Sequence, residues 1–204
     1  GLQEGWLSYH SQESQEEEDL LLTGSGAMYE NRKRSGMSTP PVTGGSSLKY
    51  FLSRLEAVAQ PPYDQHILLV HNVCLQQDDI DAAKAVMNNV YWAICPLSNI
   101  FIHNSLPPVE LMRDNALNIT VGTDSLSSND DLDMVKELYC IHDNFRDVPM
   151  NEILTWACLN GARFLSKEAE LGSLTPGKHP GIVLVKNIDE NGCFTAESRS
   201  ERII

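Results

Sequence analysis

Two histidines and two carboxylates stand where reacting groups are common. The segment HSQESQEEED places Glu13 three residues after His10, a separation of about one helical turn. The apolar run of LLVHN leads into His71, and VGTDS carries Asp124 directly after another short apolar segment. Imidazole and carboxylate groups bind a borderline cation such as Zn²⁺, and a carboxylate beside an activated water can take its proton. These residue types therefore indicate metal-assisted hydrolysis, with Glu13 placed to carry a proton to a leaving group.

Each of these residues also has a simpler interpretation. A histidine at the end of a strand is often a structural residue with a satisfied hydrogen bond. Asp124 is an ordinary N-cap residue for a following helix. The acidic run that contains Glu13 also fits a solvated first helical turn, which the helix dipole favours. The residues alone leave both interpretations open.

The alternation of apolar runs and amphipathic segments predicts the elements that would position these groups. Strands are expected at residues 7–10, 66–71, 90–95 and 118–122, and helices at residues 13–22, 48–59, 78–87, 109–116, 132–142 and 150–164. Strands that alternate with helices form a parallel sheet with right-handed crossovers. Because the carboxyl ends of parallel strands meet at one edge, His10, His71 and Asp124 should converge there.

Three stretches do not follow this alternation. Residues 23–47 are rich in Gly, Ser, Thr and Pro and predict a long irregular loop that covers the substrate. The segment from Cys95 to Asn99 (CPLSN) predicts a tight polar turn after the third strand. Beyond Gly172, the Gly/Pro turns and the β-branched run of LGSLTPGKHPGIVLV predict a small β unit. The expected division is therefore 1–171 and 172–204.

Composition limits the classes of partner. The net charge of -13 works against binding to nucleic acid, whose phosphates it would repel. No apolar window is long enough to cross a bilayer, which argues against a membrane protein. The five cysteines are scattered without a CxxC pair, as in reduced proteins of the cytoplasm. We therefore expect a cytoplasmic protein that binds neither nucleic acid nor a membrane.

Five segments, HSQE, LLVHN, ICPLSN, VGTDSLSSNDDLDM and LGSLTPGKHPGIVLV, stand in the order in which they occur in the amidohydrolase superfamily. The chain resembles the branch that contains guanine, S-adenosylhomocysteine and aminodeoxyfutalosine deaminases and triazine chlorohydrolases. The resemblance implies an α/β fold, namely strands five to eight of a (β/α)8 TIM barrel followed by part of a small β-sandwich. It implies a metal-dependent hydrolase that deaminates a purine-like or other amino-heteroaromatic substrate with a metal-activated water. Chlorohydrolase or cyclic-amide hydrolase activity on the same scaffold is the alternative.

The resemblance also implies a role for each matching residue. His10 and Asp124 would bind the metal, which is zinc in the leading interpretation and iron or manganese in the alternatives. Glu13 would pass a proton to the ring nitrogen of the substrate, and Asp124 would also act as the base. His71 would orient the water or the substrate.

Other matching positions lie in the turns after the last two barrel strands. Ser98 and Asn99 would shape the turn after the third strand of this chain. These two residues, and Ser125 after the fourth strand, would contact the substrate. Ser128 and Asn129 would brace the loop that follows Asp124. These roles come from the resemblance alone.

The chain departs from the family at one point, because it has no His-x-His motif. Family members carry this pair at the end of barrel strand one, where it supplies two metal ligands, and this chain would begin just before strand five. We therefore expect the chain alone to bind metal weakly or not at all and to be inactive. An open half barrel exposes strand edges, so we also expect a homo-oligomer or association with the missing half. The rival interpretation is an inactive half-barrel fragment.

Overall fold

The computed structural model describes residues 5–204, in which four parallel strands form the main sheet. The strands pair in chain order and are β1 (Trp6–Ser11), β2 (Tyr63–His71), β3 (Met87–Ile94) and β4 (Ile119–Val121). The helices are α1 (Gln15–Leu22), α2 (Gly26–Arg34), α3 (Ser47–Glu56), α4 (Gln77–Val86), α5 (Pro96–His103), α6 (Val109–Asp114), α7 (Met134–Asn144), α8 (Met150–Leu154) and α9 (Gly161–Phe164). A π-helical segment, Thr155–Asn160, joins α8 to α9. The predicted parallel α/β sheet is confirmed.

The two central strands form the middle of the hydrophobic core. Leu69 of β2 stands opposite Trp92 of β3, and neither side chain is accessible to solvent. Helices pack against these strands with apolar faces, as α3 does with Leu48, Phe51 and Leu52. Burial on both faces explains why the sequence of β2 is almost continuously apolar.

Two expectations about irregular segments were wrong. Within residues 23–47, the part from Gly26 to Arg34 is the helix α2, whose C-terminal turn carries three basic residues that favour the helix dipole. The rest, residues 35–46, has no regular structure. The CPLSN segment begins the helix α5, with Pro96 at its first position. Proline suits that position because its fixed φ matches a helix and its missing N–H would have had no partner there.

The predicted helix over residues 150–164 is interrupted by the π-helical segment. Asn160, at the end of that segment, donates from Nδ2 to the backbone oxygen of Ile119 in β4 at 2.8 Å. A wider π turn re-aims side chains relative to an α-helix. Here it ties the short edge strand β4 to the neighbouring helix.

The C-terminal residues form a separate antiparallel pair, β5 (Val183–Lys186) and β6 (Arg199–Arg202). Gly172 precedes this region with φ of 83°, and a Cβ there would lie 2.8 Å from the Cβ of Ala162. Glycine is required at this position for both reasons. The division of the chain at residue 172 stays a prediction.

The helices and the cysteines of the structure bear on the expectations drawn from composition. No helix within residues 5–204 has the length and apolar character needed to span a membrane. All five cysteines are free thiols. Burial raises the pKa of Cys95 to about 12, so this thiol is unreactive at neutral pH.

Leu69 provides a direct test of the core. Leu69→Ala removes a side chain with no solvent exposure from the centre of the sheet. We expect the free energy of unfolding to fall by roughly 2–5 kcal/mol, because a cavity remains between the sheet and its helices. Val58→Ala is the control, since that side chain is 69% exposed and its loss should change stability by less than about 0.5 kcal/mol. Urea unfolding followed by circular dichroism measures both; equal effects would contradict the described core.

Glu18 predicts a dependence of stability on pH. Both carboxylate oxygens of this buried residue lie 3.2 Å from the backbone N of Ser47, at the start of α3. Burial raises the pKa of Glu18 above its ordinary value of 4.5, despite the hydrogen bonds from Ser47. The folded chain therefore keeps this proton to a higher pH than the unfolded chain does. The contribution of Glu18 to stability is present below pH 4.5 and is lost as the pH rises through the raised pKa.

The matched variants are Glu18→Gln and Glu56→Gln, the latter at an exposed position of α3. Unfolding free energies measured across the acidic range should fall less steeply with rising pH in Glu18→Gln than in the wild type. Glu56→Gln should follow the wild type. An unchanged slope in Glu18→Gln would show that Glu18 titrates as it does in the unfolded chain.

Candidate active site

The ends of three strands bring together the residues that the sequence singled out. In the parallel register Ser11 of β1 pairs with His71 of β2, so His10 lies beside the end of β2. The rings of His10 and His71 have centroids 4.8 Å apart and are nearly perpendicular, at 86°. One ligand atom from each of His10, His71 and Asp124 lies within 4.8 Å of the other two. The expected convergence is therefore present.

Unusual backbone conformations hold the residues at this edge. Gln12, His71, Asn72 and Asp124 have φ values of 52°, 78°, 56° and 56°, in the left-handed region that residues other than glycine rarely adopt. Hydrogen bonds hold the turns, including one from the backbone N of Asn72 to the oxygen of Ser11 at 2.9 Å. Strain of this kind collects at functional sites, where the surrounding structure compensates for it.

Asp124 is held by two serine hydroxyls. Ser98 donates to Oδ2 at 2.9 Å, and Ser128 donates to the same oxygen at 2.5 Å. Burial raises the pKa of the Asp124 carboxyl, but the hydroxyls of Ser128 and Ser98 and the neighbouring histidines outweigh it and lower the pKa overall. Asp124 is therefore ionised at neutral pH. Oδ2 is also the oxygen that lies 4.0 Å from Nε2 of His71.

His71 is completely buried between the carboxylates. Its Nδ1 lies 3.0 Å from Nδ2 of Asn99, and its Nε2 lies 3.5 Å from Oε1 of Glu13 and 4.0 Å from Oδ2 of Asp124 without a hydrogen bond to either. Burial lowers the pKa of His71, and the attraction of Glu13 and Asp124 does not reverse this. The imidazole is therefore neutral, and neither contact is a salt bridge.

The amide of Asn99 determines which nitrogen of the neutral His71 ring carries the proton. Nδ2 of Asn99 can only donate, so Nδ1 of His71 accepts and Nε2 carries the proton. In this tautomer His71 presents a donor to the space between Glu13 and Asp124. The reversed amide would instead leave Nε2 as a lone-pair ligand.

Glu13 lies in the turn between β1 and α1. The helix begins at Gln15, two residues later than expected, so the turn rather than a helical repeat brings Glu13 close to His10. Its backbone N–H donates to Oε2 of Glu17 at 2.9 Å. The preceding Gln12 is fully buried and anchored by its backbone N–H to Oγ of Ser47 at 3.1 Å. The carboxylate of Glu13 keeps 26% of its surface exposed.

The three residues expected to contact substrate differ in accessibility. Ser98 and Asn99 have no solvent exposure, and their polar atoms contact Asp124 and His71. Ser125 is exposed, and its backbone oxygen accepts the N–H of Ser128 at 3.0 Å. Of these three residues, only Ser125 is exposed to solvent.

The sequence interpretation overlooked Glu137 on α7. Its buried carboxylate accepts hydrogen bonds from the backbone N–H of Leu97 at 3.0 Å and from Nδ2 of Asn129 at 2.7 Å. Burial raises its pKa to about 7 although both donors act in the opposite direction. A glutamate on the same helical face as Leu138 and Ile141 was the available signal, because charged residues rarely occupy a buried apolar face.

A cavity of about 850 Å³ opens beside His10 and Glu13. Its other walls include Met28, Asn31 and Arg34 of α2, and Ile102 of α5. This volume lies within the range of small-molecule sites. A second cavity, of about 780 Å³, borders Glu18, Asp79 and Lys49, and neither cavity is lined by His71 or Asp124.

The clustered groups fit a divalent metal. With the proton of His71 on Nε2, His10 and Asp124 are the ligands left for an ion; imidazole and carboxylate groups both bind zinc, and the ligand atoms of the cluster lie within 4.8 Å of one another. The buried Nε2 of His71 has no hydrogen-bond partner among the described residues, as expected of an atom that faces a missing group.

Two curated deaminases are similar to this chain over part of its length. At 36% identity over 129 residues, the 5-methylthioadenosine/S-adenosylhomocysteine deaminase of Moorella thermoacetica matches 60% of this chain and 30% of its own length. The 5'-deoxyadenosine deaminase of Methanobrevibacter smithii is 28% identical over 145 residues, which cover 68% of this chain and 33% of that protein. The chain thus spans about a third of the length of these curated relatives.

Solved structures show the same fold. Aminofutalosine deaminase of Helicobacter pylori superimposes with a TM-score of 0.71 and 24% identity over 86% of this chain and 43% of its own. An adenosine deaminase of Xanthomonas campestris with bound zinc gives a TM-score of 0.63 and 24% identity over 87% of this chain and 36% of its own.

The family model described as "Amidohydrolase family" matches residues 44–202, more than half of the chain. The matched region contains His71, Asp124 and the network around them. Together with the parallel sheet and the residues at its carboxyl edge, this match shows that the chain belongs to the amidohydrolase family.

Proposed function

We propose that this chain forms part of a metal-dependent deaminase that hydrolyses the exocyclic C–N bond of a purine-like heterocycle. The observation that carries the proposal is the cluster of His10, His71 and Asp124 with the carboxylate of Glu13 beside it. The relatives described above are named as deaminases of adenosine-like compounds, which supports this reaction and substrate class. No contact in the described site favours dechlorination or cyclic-amide hydrolysis.

The architecture proposed for the parent enzyme is a (β/α)8 barrel. In this proposal β1 to β4 are strands five to eight of the barrel, and residues 172–204 belong to a small β-sandwich. The outer edges of β1 and β4 have no strand partner within residues 5–204. Unpaired edges favour association with further strands, so we propose that a missing half or a second copy covers them. The cytoplasmic location stays a prediction.

Each site residue has its own role in the proposed reaction. His10 and Asp124 would hold the metal, which when bound lowers the pKa of a coordinated water to roughly 7. The ionised Asp124 accepts the proton of the water. Glu13 delivers a proton to the ring nitrogen as the oxygen adds to the ring carbon. Asp124 then passes the water's proton to the amine, which leaves as ammonia, and the remaining hydroxyl proton returns to Glu13. His71 donates from Nε2 and orients the water or the substrate.

The cavity beside Glu13 supports a substrate of nucleoside size. Its walls combine apolar side chains, such as Met28 and Ile102, with polar groups on Asn31 and Arg34. Apolar walls with a few polar groups are typical of sites that bind heterocycles. A crystal structure of the Helicobacter pylori enzyme holds methylthio-coformycin, a ligand of this general kind. We propose an adenosine-like nucleoside as substrate, with Ser125 near its entry.

Metal binding tests the ligand assignment. The chain offers two or three ligands, so we expect it to bind Zn²⁺ only weakly, in the micromolar range or above. Asp124→Asn should abolish this binding because it removes the charged ligand. Asp130→Asn, an exposed carboxylate in the same loop, is the control and should leave the affinity unchanged. Isothermal titration calorimetry measures all three; tight binding that survives Asp124→Asn would place the metal elsewhere.

The catalytic assignment is best tested in a chimera. The N-terminal part of the Moorella thermoacetica deaminase, joined to this chain in place of the region it matches, would supply the His-x-His ligands. We expect ammonia release from adenosine-like nucleosides and a loss of about 10²–10⁴-fold in Glu13→Gln, which removes the proton carrier.

Glu30→Gln is the matched control for the chimera, since Glu30 is exposed on α2 and does not line the cavity. It should retain the activity of the unmodified chimera. A folded, zinc-loaded chimera that releases no ammonia, or one in which Glu13→Gln is fully active, would contradict the proposed reaction.

A further inference from the structure

We propose that Glu137 is a positioning residue that links α5 to the loop after β4 and thereby fixes both Asp124 and His71. The inference deepens the proposed function, and only its statement about metal affinity rests on that function. It is carried by two hydrogen bonds to the buried carboxylate of Glu137 and by three more that join the segments of its donors to Asp124, His71 and Thr123.

The first connection runs through α5. Oε2 of Glu137 accepts the backbone N–H of Leu97, in the first turn of that helix. N–H groups of a first turn have no partner within the helix, and the helix dipole favours a negative charge there. The next two residues of α5 are Ser98 and Asn99, which contact Asp124 and His71. Holding the first turn of α5 therefore holds both contacts.

The second connection runs through the loop after β4. Oε1 of Glu137 accepts Nδ2 of Asn129, which also donates to the backbone oxygen of Thr123 at 2.9 Å. The backbone oxygen of Thr123 cannot donate, so the orientation of this amide is fixed. Thr123 and Asn129 enclose the turn that contains Asp124 and Ser128. The loop is thus closed on the same carboxylate that holds α5.

The chemistry of the two donors explains why this residue is a glutamate. Each carboxylate oxygen faces an N–H group, so an ionised side chain satisfies both donors. Glutamine would turn its own amide N–H towards one of them, and aspartate would be one methylene too short to reach both. Because Glu137 has no solvent exposure, no water can replace a lost bond.

A simple role in the core would not connect these elements. Neighbouring residues of α7, such as Ile141, are also fully buried but contribute only apolar contacts to the core. Glu137 is bonded to a backbone N–H on one element and a side-chain amide on another. Its loss should therefore loosen the two site segments specifically.

The test compares Glu137→Gln with Ile141→Val, a control that weakens the same helix without touching the site. Amide hydrogen exchange is measured at a pH above the raised pKa of Glu137, where its carboxyl is ionised. In Glu137→Gln we expect exchange in α5 and in residues 123–129 to accelerate on the order of tenfold, as for loss of a buried bond to a charged group. Ile141→Val should not accelerate exchange in these two segments more than in the rest of the chain.

A swap of the bonding partners gives a second readout. In the double variant Glu137→Gln with Asn129→Asp, the new amide can donate to the new carboxylate while its oxygen still accepts the N–H of Leu97, although the bond to the backbone oxygen of Thr123 is lost. We expect this pair to restore most of the protection of α5 that Glu137→Gln alone loses. A side chain that only fills space would show no such rescue.

The link to the site is measured by Zn²⁺ affinity of the same 204-residue chain. Glu137→Gln should weaken binding by about tenfold or more, as loss of residues that orient metal ligands generally does, and Ile141→Val should not. Absence of Zn²⁺ binding in the wild type would count against the proposed function, and the exchange and rescue results would still decide the role of Glu137. Unchanged exchange in both segments, or equal effects of both variants, would overturn the inference.

Discussion

The parallel pairing of β1 to β4 determines where every polar group of the candidate site lies. Parallel strands present their carboxyl ends at one edge, and helices that return from each strand also begin there. Side chains at strand ends and backbone N–H groups at helix starts therefore meet in the same region. His10 and His71 come from adjacent strands, and Asp124 follows the fourth. The amidohydrolase fold thus determines where the site lies, and the side chains at the strand ends determine its chemistry.

Although the chain has a net charge of -13, the buried carboxylates described at this edge each accept a backbone N–H at the start of a helix. Glu18 accepts the N–H of Ser47 at the start of α3, Asp79 accepts the N–H of Gln76 at the start of α4, and Glu137 accepts that of Leu97 in α5. Each acid neutralises donors that would otherwise be unpaired, and each lies near the positive end of a helix. These contacts stiffen the turns that carry Glu13, Asp124 and His71, since the neighbouring serines and amides bond to the site residues. Some of the acidic residues therefore serve to hold the starts of helices in place.

The sequence predicted the strands well because an apolar run between polar turns has few other structural solutions. It also predicted that His10, His71 and Asp124 would converge, which follows from strand order alone. It did not predict α2, since Gly, Ser and Pro on both sides of the helix suggested a loop throughout. It missed the start of α5 because CPLSN has the composition of a turn, and only the position of Pro96 indicated a helix. Glu137 could not be assigned a role, because both of its partners lie on other elements and are distant in sequence.

The central claim is that His10, His71 and Asp124 define one cation site at the carboxyl edge of the sheet. Crystals of the chain grown with Zn²⁺ and measured at the zinc absorption edge test it most directly. The account predicts one strong anomalous peak within bonding distance of His10 and Asp124. Anomalous peaks found only at other side chains, with none between these strand ends, would contradict it.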